Sequence, residues 1–242
     1  MLSAGAGRRG EAGVGLVELL MGILVGAVVL GGLVSVHVAT SKANAENLKL
    51  ARLNQEVRAI MGIMTREIRR AGYWGIVPGS PGTASHPAYA ANLYGGGTVN
   101  LSLNPFWAVN VAGSCITFSY DLNDNGLLDS GEWFGFQLMN VGGAGVVEMR
   151  TSGADGSCSW PAGSYQPLNN GQLTTVTDLS FTLASNPVNA TTEGGACATN
   201  QGCQEIRLVN IVLTARLQSD STVTQTVREQ VRLRNDRYYV LP

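Results

Sequence analysis

The side chains best suited to holding an ion lie in the run Asp121-Leu122-Asn123-Asp124-Asn125-Gly126-Leu127-Leu128-Asp129-Ser130-Gly131-Glu132. It meets every defined position of the D-x-[DN]-x-[DN]-G-x5-E pattern of calcium loops. Oxygens of Asp121, Asn123 and Asn125, the Leu127 carbonyl, Asp129 and a bidentate Glu132 are hard donors of the kind calcium takes, and Gly126 permits the sharp turn among them. The competing reading is a polar hairpin turn, since Asn-Gly and Asp-rich segments reverse a chain without metal. The distant Glu132 has no role in such a turn, which favours calcium as the cofactor.

Two further groups could do chemistry. Glu18 sits inside the apolar stretch 14–38, where a carboxylate at full membrane depth costs about 2.5–3.5 kcal/mol and so needs a partner. Cys115, Cys158, Cys197 and Cys203 form no C-x-x-C pair and have no histidine at metal-ligand spacing, which points to disulfides. Of the three pairings, Cys197 with Cys203 and Cys115 with Cys158 is favoured, the first closing a short Gly-rich loop; reduced buried thiols are the rival reading. An enzyme is not expected: His37 lies at the end of the apolar stretch, His86 in a Gly/Pro segment, and no nucleophile elbow or phosphate loop is present.

The elements that must position these groups follow from periodicity. Residues 14–38 are apolar or small except at Glu18, Ser35 and His37, enough to span a bilayer core of about 30 Å as one helix. Arg8 and Arg9 precede it, which places the N-terminus in the cytoplasm and the rest outside. A cleaved secretory signal fits poorly, because its apolar core runs only about 7–15 residues. Leu50, Leu53, Val57, Ile60, Met64, Ile68 and Ala71 continue as an apolar stripe at spacings of three and four, so one helix runs from about Val14 to Ala71, its half at 39–72 amphipathic. Arg52 and Glu56 suit an i,i+4 pair, Gly72 a C-cap, and Arg66, Arg69 and Arg70 the negative end of the helix dipole.

Beyond the helix, Ile116, Phe118 and Tyr120 alternate, as do Trp133 or Phe134 with Phe136 and Leu138; a hairpin across the calcium-type loop is implied. Further strands are expected at 176–183, 206–217 and 221–233, and long surface loops at 76–110 and 184–203. The fold class is α+β: a long N-terminal helix packed on an antiparallel β-sheet domain at 73–242. The net charge of −1 and pI near 6.1 give no global field for nucleic acid, and no direct nucleic-acid partner is expected.

Gly13-Val14-Gly15-Leu16-Val17-Glu18-Leu19-Leu20 resembles the class III signal of type IV prepilins. The resemblance implies a leader at 1–13 cut by prepilin peptidase after Gly13, an N-methylated Val14, and a Glu18 that pairs with a neighbouring subunit's N-terminus during assembly. Val14 stands where Phe or Met is commoner, Gly15 where Ser or Thr is, and the span lacks proline. Thr65-Arg66-Glu67-Ile68-Arg69-Arg70-Ala71-Gly72-Tyr73-Trp74-Gly75 is similar to the junction of PilW-type minor pilins, with Ile76 where a cysteine often follows. The expectation is thus a minor pilin of a type IV pilus, anchored in the inner membrane before assembly, with other minor pilins, the major pilin, a tip adhesin and the peptidase as partners. The alternatives are a minor pseudopilin of type II secretion and a membrane-anchored calcium-binding adhesion module.

Overall fold

The computed structural model describes residues 15–73, 108–125, 127–190 and 195–240, with side chains to residue 237. One helix, α1 (Leu16–Arg70), is followed by β1 (Val109–Ala112), β2 (Cys115–Ser119), β3 (Trp133–Val141), β4 (Ala144–Arg150), β5 (Tyr165–Pro167), β6 (Thr174–Asn189), β7 (Gly202–Leu217), β8 (Thr224–Arg232) and β9 (Arg237–Val240). The chain divides into two compact units, residues 1–49 and 50–242.

In the first unit the helix has no proline to break it, and Ser35 and Thr40 return their hydroxyls to the carbonyls of Gly31 and Val36, so their polar groups are satisfied within the helix. Its leucines and valines are exposed, Leu16 by 75% and Leu24 by 61%. This segment is long and apolar enough to cross a membrane, with 0% of its most apolar window buried.

The second unit buries the stripe. Leu53, Val57, Ile60, Met64, Ile68 and Ala71 enter one core with Ile116, Phe118, Phe136, Ile211, Leu213 and Leu233. Burying each such side chain stabilises by about 1.5–3 kcal/mol, so tertiary packing rather than helix propensity holds this half of α1. Two assignments fail at its margin. Leu50 is 40% exposed, and Glu56 accepts a hydrogen bond from Thr174 Oγ1 instead of pairing with Arg52, because β6 passes close enough to compete for it. The helix ends as its sequence requires: Gly72 takes a left-handed φ of 77° and Tyr73 N–H donates to the Arg70 carbonyl at 3.0 Å.

The strands form two antiparallel sheets, where one was expected. A five-stranded meander runs β1-β2-β3-β4-β5, and a four-stranded sheet runs β6-β7-β8 with β9 also on β7. Phe181 N–H of β6 bonds the Gly113 carbonyl at the β1–β2 turn, tying one sheet to the other at 3.1 Å. A side chain at Gly145 in β4 would collide with the Val176 carbonyl, so the sheets approach there through glycine.

Several boundaries differ from the sequence reading. Residues 184–189, read as loop, extend β6, and 202–203 begin β7. Residues 109–110 belong to β1; the rest of the 76–110 loop lies outside the described residues except 108. The alternation expected of β2 is absent, because all five of its residues are buried. Segment 152–160 covers its second face: Thr117 Oγ1 donates to the Gly156 carbonyl at 2.6 Å, and buried Arg150 donates to the carbonyls of Ser152, Asp155 and Ser157. Burial lowers the Arg150 pKa, and these carbonyls with the Asp155 carboxylate at 3.6 Å compensate the cation. Asp155 in turn has its pKa lowered, first by its hydrogen bonds from Ser157.

Candidate functional site

Each residue singled out for chemistry has a definite position. Gly13 and Val14 lie outside the described residues. Glu18 occupies the first turn of α1, its N–H bonded to the Gly15 carbonyl at 3.0 Å and its side chain exposed among exposed apolar neighbours. Among the described residues no side chain pairs with it.

The loop 121–132 joins β2 to β3 just beyond the Ser119–Trp133 pair. Its two end carboxylates, Asp121 and Glu132, are 1% and 2% exposed, whereas Asn123, Asn125 and Asp129 face solvent. Burial of two acids costs free energy unless donors reach them. The backbone supplies these: Glu132 Oε1 accepts from Leu122 N–H at 2.8 Å and Oε2 from Asp129 N–H at 2.9 Å, so one side chain spans the loop. Asn125 N–H donates to Asp121 Oδ1 at 3.2 Å and to Asn123 Oδ1 at 3.0 Å, and Leu127 N–H donates to Asn125 Oδ1 at 2.7 Å. The amides of Asn123 and Asn125 converge on Asp129 Oδ2 at 2.9 and 2.7 Å.

Asp121, Asn123, Asn125 and Asp129 are therefore neighbours, and a rotation of either terminal amide would turn oxygen where nitrogen now points. Both carboxylate oxygens of Glu132 are engaged with backbone, the N–H groups of Leu122 and Asp129. Among the described residues no group of three or more His, Cys, Asp or Glu is gathered as a ready metal cage. Gly126 lies outside the described residues.

The loop is fastened to the end of α1. Gly72 N–H donates to the Ser119 carbonyl and Asp121 N–H to the Tyr73 carbonyl, both at 2.9 Å. Tyr73 O–H donates to Asp124 Oδ1 at 2.9 Å, a bond that raises the Tyr73 pKa and helps hold Asp124 in its left-handed conformation, φ 58°. One turn back, buried Glu67 accepts from Tyr120 O–H at 3.0 Å and pairs with Arg66 and Arg70 at 3.2 and 3.4 Å. Arg70 lies 4.1 Å above the Tyr120 ring, which stacks on Phe134 at 4.0 Å. The sequence reading missed Glu67, Tyr73 and Tyr120 as one assembly. Glu67 falls one position before Ile68 of the buried stripe, which is the signal that could have found it.

Disulfides join Cys115 to Cys158 and Cys197 to Cys203, with Cα separations of 6.2 and 5.8 Å. The first ties β2 to the segment over its outer face. The second closes the turn that leads into β7.

A long N-terminal helix with an exposed apolar half, an amphipathic half on antiparallel sheets, and a helix end locked to the sheet is the arrangement on which the family comparison bears. Residues 46–233 match the family model described as prepilin peptidase-dependent protein B. The chain belongs to that family. No curated protein and no solved structure matches it. The match runs from the second half of α1 to just past β8, and so takes in the helix end, the loop 121–132 and both disulfides; the segment around Glu18 precedes it. Membership in the prepilin peptidase-dependent protein B family makes this a type IV pilin-related chain, and the apolar half of α1 is the membrane anchor that fits such a protein.

Proposed function

We propose that the chain is a PilW-like minor pilin that joins a priming or tip complex of a type IV pilus, and that it acts by assembly, not by catalysis. The observation that carries this reading is Glu18: a carboxylate with no side-chain partner among the described residues, set in an exposed apolar helix, in a chain of the prepilin peptidase-dependent protein B family. A neighbouring subunit's N-terminal amine would neutralise that carboxylate once both helices are in an apolar environment. The partners are the peptidase, other minor pilins, the major pilin and a tip adhesin, and the chain resides in the inner membrane with its N-terminus cytoplasmic before it enters the filament.

Mass spectrometry of the mature N-terminus, with Glu18→Ala beside the wild type, tests this. The expected species begins at methylated Val14, and Glu18→Ala is processed but fails to assemble. An uncut leader would favour a membrane-anchored adhesion module, and normal assembly by Glu18→Ala would remove the role given to the carboxylate.

The loop 121–132 is read as a calcium site that stiffens the exported domain, with Asp121, Asn123, Asn125, the Leu127 carbonyl, Asp129 and Glu132 as ligands. The complete ligand pattern and the adjacency of Asp121, Asn123, Asn125 and Asp129 support it. Calorimetry on the full chain in detergent should show heat of calcium binding and a higher Tm. No heat together with an unchanged Tm under chelation sinks the calcium reading while leaving the assembly role intact.

A further inference from the structure

Where segment 233–235 crosses the end of α1, Arg234 N–H donates to the Arg69 carbonyl at 3.2 Å, and Asn235 Nδ2 donates to the carbonyls of Arg70 and Ala71 at 3.3 and 3.2 Å. The backbone thereby sets Arg234 beside Arg69 whether or not their side chains attract. Together with Arg232 they line a surface depression of about 460 Å³. Arg232 is held in place by Asp236, whose carboxylate is 8% exposed and reaches it at 3.0 Å. Arg69 and Arg234 have no acidic partner among the described residues.

Helix capping does not account for the cluster, because the last carbonyls of α1 already have donors from segment 234–235. The unpaired charges of Arg69 and Arg234 share this depression with the Arg232–Asp236 pair, and an anion seated there relieves the repulsion between them with charge-assisted, forked hydrogen bonds. The surroundings narrow the class of anion. An adjoining depression is shared by Arg69, Arg70 and Arg234 with Asp121 and Asp124 of the acidic loop. A continuous phosphate backbone leaving the arginines would run onto those carboxylates, and the chain's net charge of −1 supplies no long-range attraction to it. A protein surface can match positive and negative areas side by side.

We propose that Arg69, Arg232 and Arg234 form a docking site for a cluster of carboxylates on a partner protein. The full chain in detergent micelles is titrated at low salt with a labelled peptide that carries a glutamate cluster flanked by lysines and with a single-stranded oligonucleotide of equal length. The peptide binds, Arg69→Gln with Arg234→Gln weakens it about tenfold or more, and the two lysine replacements recover part of the loss. Arg52→Gln with Arg228→Gln, which removes the same charge from exposed positions outside the depression, changes affinity by less than about twofold. The proposal is overturned if the peptide does not bind, if both double variants lose affinity equally, or if the oligonucleotide binds as tightly as the peptide. Unchanged thermal melting of both double variants separates lost binding from lost folding.

Discussion

Glu18 and Glu67 are carboxylates of the same helix placed in opposite circumstances. Glu67 is buried and fully engaged: Tyr120, Arg66 and Arg70 all reach it, and its neighbours Met64 and Ile68 are in the core. Glu18 is exposed, and no side chain among the described residues meets it. The residues around each follow the same division, with the stripe Leu53, Val57, Ile60, Met64 and Ile68 sealed in the core and 16–38 presenting leucine and valine outward. One helix thus carries a half whose needs are met inside the chain and a half whose apolar surface and charge both call for something outside it. Helix formation is common to the two; what differs is where the burial comes from.

The comparison is broken most severely at Leu53 and Leu24. Leu53 is fully buried, so Leu53→Ala should cost about 2–5 kcal/mol of domain stability in urea unfolding of the full chain in detergent. Leu24→Ala should change the same transition by less than about 0.5 kcal/mol, since nothing in the domain loses a contact. Equal effects would mean that the two halves do not divide the work as described.

Glu67 sharpens the contrast at the level of one group. Glu67→Ala removes the acceptor of the buried Tyr120 hydroxyl, and an unpaired buried donor costs about 1–3 kcal/mol. Glu18→Ala should leave domain unfolding unaltered and act only on assembly. Loss of domain stability by the Glu18 variant would show that its carboxylate has an internal role.

The division between the two halves of the helix was legible in the residues; the burial of Glu67 was not. The stripe from Leu53 to Ala71 and the outward run at 16–38 both follow from hydrophobic spacing, and the pairing of β2 with β3 follows from their flanks. Periodicity did not indicate β4, because Glu148 and Arg150 are buried there by satisfied polar partners, Gln137 for one and loop carbonyls for the other. The continuation of β6 through Asn186 and Pro187 was hidden by residues that usually mark loops; Pro187 is tolerated because β6 is the edge strand of its sheet, where a missing N–H can point away from β7. The loop 121–132 was recognisable as the connection between β2 and β3. Its attachment to Tyr73 was not, because that contact joins positions far apart in the chain.

The finest test of the buried half is its response to alkali. Tyr120 is 2% exposed, and desolvation, followed by the Glu67 charge, raises its pKa above the ordinary tyrosine value. The folded state therefore keeps the phenol proton at a pH where the unfolded chain, with a tyrosine pKa of about 10, releases it. The unfolded state then binds fewer protons than the folded one, so stability is fully present below about pH 10 and declines above it, by at most about 1.4 kcal/mol per pH unit for this group. Tyr120→Phe should be less stable at pH 7, through the lost bond to Glu67, yet show a shallower decline above pH 10. Parallel pH profiles for wild type and Tyr120→Phe would mean that the Glu67–Tyr120 contact is open to water, and the buried carboxylate would then be less distinct from Glu18 than its surroundings indicate.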